Sequence, residues 1–83
     1  MEFQKENERI YYNDKTGKTI AEVTFPETAP GEYTIDHTFV DDSLRGQGVA
    51  GKLVQAAVDE IESRDGMVKA TCSYAVKWLA GRG

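Results

Sequence analysis

The chain has 83 residues, near the size at which one hydrophobic core is only just sufficient, so we predict a single domain over residues 1–83 with ends that fray at about 1–7 and 80–83. Its net charge of -4 excludes nonspecific nucleic-acid binding, which relies on excess Lys and Arg, and no apolar run approaches the roughly 18 residues of a membrane span. One cysteine excludes an internal disulfide, and with one histidine it is too little for a structural zinc site, so we expect no metal.

A β-hairpin is the first predicted element. Residues 9–12 form a short strand, residues 13–17 form a turn rich in residues that tolerate left-handed backbone angles, and residues 18–25 form the returning strand. The returning strand alternates between apolar and more polar positions, which predicts one apolar face. The residues on that face are Ala21, Val23 and Phe25.

A third strand is predicted over residues 32–40, after a breaker at residues 26–31 that contains two prolines and a glycine. Side chains of different polarity alternate along this strand. One face is predicted to contain Tyr33, Ile35, His37 and Phe39, and the other Thr34, Asp36, Thr38 and Val40. The pattern allows His37 to be a half-buried, hydrogen-bonded residue as well as a functional one.

A long helix is predicted over residues 48–63, because apolar residues recur at helical spacing and polar residues occupy the opposite face. We expect its apolar stripe to cover the sheet. The stripe consists of Val49, Leu53, Ala56, Ala57 and Ile61. Gly66 follows the end of this helix, and residues 67–72 form a strand that the crossover makes parallel to the third strand.

A short final helix completes the predicted fold, with its aromatic residues in the core. Its marker residues are Tyr74, Ala75, Trp78 and Leu79. The predicted fold class is α/β, more closely described as α+β. It consists of a mostly antiparallel sheet with one parallel βαβ pair, one long helix and a short C-terminal helix.

The loop that leads into the long helix is the most informative segment, because residues 44–53 contain three glycines and two cations. The first backbone N–H groups of a helix lack intrahelical partners, and the helix dipole adds partial positive charge there, so an anion fits. Glycine allows that anion to approach the main chain. The loop therefore predicts a polyphosphate site.

Two nucleotide-binding patterns match this loop, and the residues around it exclude both. Gly46, Gly48 and Gly51 have the spacing of the dinucleotide fingerprint, but the acidic residue required about 20 positions later is missing. Residues 46–52 match a P-loop, but Leu53 stands where Ser or Thr must bind magnesium. Both classes also need a wide parallel sheet, for which 83 residues leave no room.

Arg45, Gly48 and Ala50 match a third pattern, Arg/Gln-x-x-Gly-x-Gly/Ala, with which N-acyltransferases of the GNAT superfamily hold the pyrophosphate of acetyl-coenzyme A. The flanking residues 37–40 and 72–75 stand in the expected order. Over roughly residues 8–79, the chain resembles the small YjdJ-type branch of this superfamily, which implies a reduced GNAT-like fold. The resemblance also implies an acetyl-coenzyme A-dependent N-acetyltransferase that transfers the acetyl group directly to an amine.

In the GNAT superfamily, the pantetheine arm of coenzyme A runs between two parallel strands that splay apart. The residues that the resemblance predicts to contact coenzyme A are Phe39, Val40, Arg45, Gly46, Gln47, Gly48, Val49, Ala50, Gly51 and Tyr74. Arg45 suits phosphate oxygens because its charge is fixed and its donors are forked. The alternative is that Arg45 is a solvated cation paired with Asp41 or Asp42.

His37 and Cys72 are the predicted catalytic residues, because the resemblance directs the thioester toward them. The imidazole of His37 can act as a base or water-relay partner near neutral pH, or it can orient the acceptor. Cys72 precedes a helix start, where the helix dipole favours thiolate, so it can protonate the leaving thiolate or carry the acetyl group as a nucleophile. The alternative for Cys72 is a small apolar packing role, with Tyr74 as the acid.

The sequence does not identify the acceptor amine. Larger GNAT members build the acceptor pocket from an N-terminal strand, two helices and a C-terminal hairpin, for which this chain has no space. The acceptor is a small molecule or a protein amine, and a second copy that completes the site would make a homodimer. Alternative functions are a noncatalytic acyl-coenzyme A binding or sensing module and an interaction domain that docks through Trp78 and Tyr74. The N-terminus lacks the apolar core of a signal peptide, so the protein is expected in the cytoplasm.

Overall fold

Seven strands and two α-helices form the part of the chain that the computed structural model describes, residues 2–81. In chain order, the strands are β1 (Gln4–Glu6), β2 (Arg9–Asn13), β3 (Thr19–Thr24), β4 (Glu27–Ala29), β5 (Glu32–Ile35), β6 (His37–Val40) and β7 (Met67–Ala70). The helices are α1 (Val49–Ser63) and α2 (Ser73–Gly81), and a short 3₁₀ helix, Asp42–Leu44, connects β6 to α1. This architecture confirms the predicted α+β class with one long and one short helix.

The strands form two sheets. One is antiparallel and four-stranded, in the order β1-β2-β3-β6. The other is three-stranded, in the order β4-β5-β7, and its β5–β7 pair is parallel. The β2–β3 hairpin and the parallel βαβ pair confirm the predictions for these segments. The hairpin turn is held by Asp14, whose carboxylate accepts hydrogen bonds from the N–H groups of Thr16 and Lys18.

The predicted third strand is two strands, β5 and β6, which separate at Asp36 and belong to different sheets. His37 lies opposite Thr24 in the β3–β6 pairing, while the N–H of Asp36 also donates to the carbonyl oxygen of Thr24 at 3.2 Å. Two consecutive residues therefore face one, which is the arrangement of a β-bulge. The extra residue reverses the alternation, so Ile35 is buried while His37 is exposed. The prediction of one uninterrupted face that contains both residues is wrong.

The core lies between α1 and the sheets. The buried residues of α1 are Val49, Leu53, Val54, Ala57, Val58 and Ile61. They pack against Ile10, Ala21, Val23, Phe25, Ile35 and Ala75 from the strands and α2. Burial of one Val, Leu, Ile or Phe side chain contributes about 1.5–3 kcal/mol, so this cluster is the main stabilising contact. Ala56, which is predicted in the apolar stripe, lies at its partly buried border.

The ends of the chain differ from the prediction. β1 pairs with β2 in a segment predicted to fray, and β4 forms inside the predicted breaker. α2 continues to Gly81, also in a segment predicted to fray, whereas Met1, Arg82 and Gly83 lie outside the described residues. Neither helix within residues 2–81 is long and apolar enough to cross a membrane. In the same part of the chain, no group of three or more His, Cys, Asp or Glu residues could hold a metal ion.

Candidate active site

The predicted polyphosphate loop consists of the 3₁₀ helix followed by two glycines in left-handed conformation. Asp41 caps the 3₁₀ helix, since its carboxylate accepts a hydrogen bond from the N–H of Ser43 at 3.0 Å. Hydrogen bonds from Ser43 lower the pKa of Asp41, so the carboxylate stays ionised. Gly46 and Gly48 have φ angles of 84° and 69°, which are strained for residues with a side chain. These two glycines turn the chain into α1.

The N-terminus of α1 presents main-chain donors. Gly48 is the N-cap and supplies no side-chain hydrogen bond, and the first turn contains no acidic residue. The N–H of Lys52 donates to the carbonyl oxygen of Gly48 at 3.2 Å, which is the first i→i−4 bond of the helix. The N–H groups of Val49, Ala50 and Gly51 precede that bond, so they and the helix dipole favour an anion at this end.

A pocket of about 270 Å³ opens at this loop. Its lining residues are Val40, Asp41, Leu44, Arg45, Gly46, Gly48, Val49 and Ala50. Six of them belong to the set predicted to contact coenzyme A, so the structure brings most of that set together. The predicted residues outside the lining are Phe39, Gln47, Gly51 and Tyr74.

Arg45 is held by a neighbouring carboxylate. Its Nη2 donates to Oδ1 of Asp42 at 2.6 Å, and the two side chains are 80% and 86% exposed. Of the partners that the sequence left open, Asp41 and Asp42, the structure selects Asp42. Such an exposed ion pair contributes only about 0.2–1 kcal/mol, so a phosphate group can replace the carboxylate at little cost.

β6 and the segment after β7 splay apart. β7 pairs with β5, and this pairing ends at Ile35, whose carbonyl oxygen accepts hydrogen bonds from the N–H groups of Thr71 and Cys72 at 3.1 and 3.2 Å. β6 pairs instead with β3, in the other sheet. No backbone pairing joins β6 to residues 71–72, beyond the end of the parallel pair, and we call the space between them the gap. The strand predicted over residues 67–72 is correspondingly shorter, since β7 ends at Ala70.

The backbone of β6 faces this gap at alternate residues. The N–H of Asp41 donates to Ile20 of β3 at 2.8 Å, so the odd-numbered residues direct their backbone groups toward β3. The backbone groups of Thr38 and Val40 consequently point toward the gap. Phe39, predicted beside Val40 as a contact to coenzyme A, instead turns its backbone toward β3.

Cys72 lies across the gap from β6, on the core side. Its Sγ is 3.6 Å from Oγ1 of Thr38, and its carbonyl oxygen accepts the N–H of Val76 at 2.9 Å, in the first turn of α2. Burial raises the pKa of the thiol, but hydrogen bonds with the backbone N–H of Ala75, with the Thr38 hydroxyl and with the backbone of Tyr74 and Thr38 lower the pKa of Cys72 overall. The helix start thus favours the thiolate.

His37 lies on the opposite face of the sheet. The adjacent Thr38 pairs with buried Val23, so the alternation of the strand turns His37 away from the core. The His37 side chain is 57% exposed, and its Nε2 lies 3.8 Å from Oε1 of Glu22. The alternative that His37 is a half-buried residue, which the sequence pattern allowed, is therefore wrong. Cys72 contacts Thr38 on the core face, so the structure does not bring His37 and Cys72 together.

Glu22 and its partner Arg9 are absent from the predicted site. Nε of Arg9 donates to Oε2 of Glu22 across the β2–β3 pair, between residues 13 positions apart. The alternation of residues 18–25 puts Glu22 on the polar side of its strand, which is the one available signal. Its contact with His37 depends on the bulge at Asp36, which no local pattern marks.

Tyr74 stands beside the first turn of α1. A methyl group built on Gly51 would lie 3.5 Å from the hydroxyl oxygen of Tyr74 and 3.6 Å from Nε1 of Trp78. α2 therefore packs next to the first turn of α1. Of the aromatic residues of α2 that were predicted in the core, Trp78 is only partly buried and packs against the core, and Tyr74 is 42% exposed, which contradicts the prediction for Tyr74.

Comparisons with known proteins find similarities both to the sequence and to the fold of the chain. The sequence model of one family, GCN5-related N-acetyl-transferase, matches residues 9–82. The NMR solution structure of a GCN5-like candidate N-acetyltransferase from Staphylococcus aureus is 34% identical, with a TM-score of 0.79 over 96% of this chain and 78% of that one. A ribosomal-protein-alanine N-acetyltransferase from Brucella melitensis is 25% identical, with a TM-score of 0.54 over 76% of this chain and 49% of that one. Protein NATD1 of Xenopus tropicalis is 39% identical over 51 residues, which span 59% of this chain and 47% of that relative.

Proposed function

Because the chain belongs to the GCN5-related N-acetyltransferase family, we propose that it is an acetyl-coenzyme A-dependent enzyme that transfers the acetyl group directly to an amine. The family match confirms the resemblance drawn from Arg45, Gly48 and Ala50. The observation that supports the proposed activity most strongly is the N-terminus of α1, which has no side-chain cap and opens beside Arg45 onto the pocket.

The residues of the loop fit the diphosphate of coenzyme A. The N–H groups of Val49, Ala50 and Gly51 supply main-chain donors at the positive end of the helix dipole. Arg45 supplies a forked cation once it leaves Asp42, which costs little because both side chains are exposed. No side chain at Gly46 or Gly48 limits the approach of the phosphates.

The gap between the splayed strands is the proposed path for the pantetheine arm. It leads from the pocket, which Val40 lines, along the edge of β6. The backbone groups of Val40 point into the gap and can hydrogen-bond an amide of the arm. The thioester would then reach the level of residues 37 and 72.

His37 and Cys72 would serve different parts of the reaction, since they lie on opposite faces of the sheet. His37 is exposed on the face away from the helices, where an acceptor amine can approach and give up a proton. Cys72 lies on the core side, and its lowered pKa suits a nucleophile better than an acid. In direct transfer, the predicted acid role therefore falls to solvent or to Tyr74.

Coenzyme A binding is the first test of the proposal. We expect Arg45→Glu to abolish binding in calorimetry, because the reversed charge faces the phosphates. Lys77→Glu makes the same charge reversal at an exposed position of α2 outside the pocket lining, so it should bind coenzyme A like the wild type. Equal affinity in all three proteins would contradict the assignment of the loop.

Turnover is the second test. Release of coenzyme A thiol from acetyl-coenzyme A in the presence of a panel of small amines and lysine peptides should depend on the amine added. Tight binding without turnover across the panel would instead favour the acyl-coenzyme A binding module. Intact-mass spectrometry after incubation with acetyl-coenzyme A separates direct from covalent transfer, because an acetyl adduct that disappears in Cys72→Ala would show a thioester intermediate.

A further inference from the structure

The sheet face opposite α1 carries a connected set of polar and aromatic side chains that no part of the proposed function uses beyond His37. We call this surface the open face. It consists of Gln4, Glu6, Arg9, Tyr11, Glu22, Thr24, His37 and Phe39. Strand pairing arranges them in two rows, because residues directly opposite each other in antiparallel strands share a face. One row contains Gln4, Tyr11, Glu22 and Phe39, and the next contains Glu6, Arg9, Thr24 and His37.

Glu22 stands at the centre of the open face. It lies directly opposite Tyr11 on one side and Phe39 on the other, and its side chain is only 23% exposed. One carboxylate oxygen, Oε2, accepts the Nε–H of Arg9. The other, Oε1, faces Nε2 of His37 at 3.8 Å. The two oxygens therefore point to two different partners.

Arg9 fixes the carboxylate in this orientation. Its guanidinium stacks over the ring of Tyr11 with 3.8 Å between the charge centre and the ring centroid, and it also pairs with Glu6 at 3.7 Å. The hydrogen bond with Glu22 raises the pKa of Arg9, so the guanidinium remains charged. In this orientation Oε2 is taken by Arg9, and Oε1 is the oxygen that faces the imidazole.

We propose that Glu22, held by Arg9, is a positioning residue for His37 in the acetyl transfer. The Glu22 carboxylate faces Nε2 at 3.8 Å, which favours the tautomer that carries its proton on Nε2, keeps Nδ1 as the proton acceptor and stabilises the positive charge that the ring gains. This inference rests on the proposed function, and it names the group through which His37 acts. The bulge at Asp36 is what turns His37 toward Glu22 rather than toward the core.

In the transfer of the acetyl group from the thioester to the amine, every proton and electron pair has a destination. The amine nitrogen forms a bond to the acetyl carbonyl carbon, the C–S bond breaks, and the thiolate leaves with the bonding electrons. The proton lost by the amine goes to Nδ1 of His37, while the proton on Nε2 stays on the side of the ring that faces Glu22. Transfer of that proton to solvent or to the thiolate returns the ring to its starting state.

NMR of the histidine ring tests the positioning role without any substrate. The chain has one histidine, so two-bond ¹H–¹⁵N spectra report His37 alone. We expect Glu22→Gln to move the ring ¹⁵N shifts and to lower the share of the Nε2–H tautomer. The matched control is Glu6→Gln, which removes one carboxylate partner of Arg9 on the same face but not the one that faces His37. Identical ring spectra in wild type and Glu22→Gln would overturn the proposal.

Kinetics with an amine identified by the turnover panel supplies the second readout. Glu22→Gln should lower kcat about tenfold, leave the KM for acetyl-coenzyme A unchanged, and add little to the loss in His37→Ala. If the losses of the two single variants add fully in the double variant, Glu22 does not act through His37, which would refute the inference. Failure of the proposed function is distinguishable, because it would appear as absent coenzyme A binding or turnover in the wild type, whereas the ring spectra need neither.

Discussion

The two arginine–carboxylate pairs of the site differ in how firmly each is held. Arg45 and Asp42 pair within one loop, three positions apart, with side chains 80% and 86% exposed. Arg9 and Glu22 pair across two strands, with side chains 30% and 23% exposed, and the ring of Tyr11 lies against the guanidinium. Water screens the first pair and little else holds it, so a ligand can take the place of either partner. In the loop, Arg45 can thus exchange its carboxylate partner for a ligand, whereas on the open face Arg9 and Glu22 stay paired.

The largest expected effect comes from removing the cation of the Arg9–Glu22 pair. Arg9→Leu leaves the carboxylate of Glu22 without its main partner in a setting that is mostly shielded from water, so we expect a loss of about 1–3 kcal/mol in the free energy of unfolding. Arg45→Leu should cost less than about 0.5 kcal/mol, because Asp42 stays solvated. Urea denaturation at neutral pH measures both. Equal losses would contradict the difference drawn between the pairs.

The glycines of the loop give the next effect. Gly48→Ala places a side chain at a φ of 69°, which we expect to cost roughly 1 kcal/mol of stability and to weaken coenzyme A binding by distorting the start of α1. Gly51→Ala is the control, since this residue is helical and the new methyl would meet Tyr74 and Trp78 only at ordinary contact distances of 3.5 and 3.6 Å. It should raise stability by about 0.5–1 kcal/mol. Thermal unfolding with and without coenzyme A distinguishes the two variants.

Cys72 lies on the side of the sheet away from the open face, and the reactivity of its thiol is predicted to depend on pH. Its lowered pKa predicts that alkylation by iodoacetamide, which consumes the thiolate, reaches half its maximal rate at a lower pH than for a free cysteine. Thr38→Val removes the hydroxyl 3.6 Å from Sγ, so the pKa rises and the rate curve moves to higher pH. The chain has one cysteine, which makes the assay specific. A curve that Thr38→Val leaves in place would show that the hydroxyl does not stabilise the thiolate.

The smallest expected effect concerns the exchangeable pair itself. Asp42→Asn removes the carboxylate that holds Arg45, so phosphate no longer competes with it, and coenzyme A affinity should rise about twofold. Calorimetry at two salt concentrations measures this change, which added salt should reduce. A fall in affinity would mean that Asp42 supports the loop in the bound state rather than competing with the ligand.

The turn before α1 and the pocket beside it could be anticipated from the sequence because the geometry of the loop is local. Gly46, Gly48 and Arg45 lie within four consecutive residues, and a helix start determines the direction of the main-chain donors. Helix α1 was equally accessible, since its apolar residues recur with the period of one element. Prediction of these features does not depend on which strands pair with each other in the sheet.

The open face could not be predicted in the same way. The contact of Glu22 with Arg9 and His37 depends on the register of three strands, and register is set by pairing between residues that are distant in sequence. One extra residue at Asp36 reversed the predicted direction of His37. The four-residue strand β6 is too short for its own alternation to reveal the interruption.

The bulge at Asp36 affects both the separation of β5 from β6 and the direction of the His37 side chain. Because side chains alternate along a strand, we expect removal of this one residue to turn the His37 side chain toward α1. A substitution leaves the number of residues intact, so we expect a deletion at this point to be more damaging than a substitution.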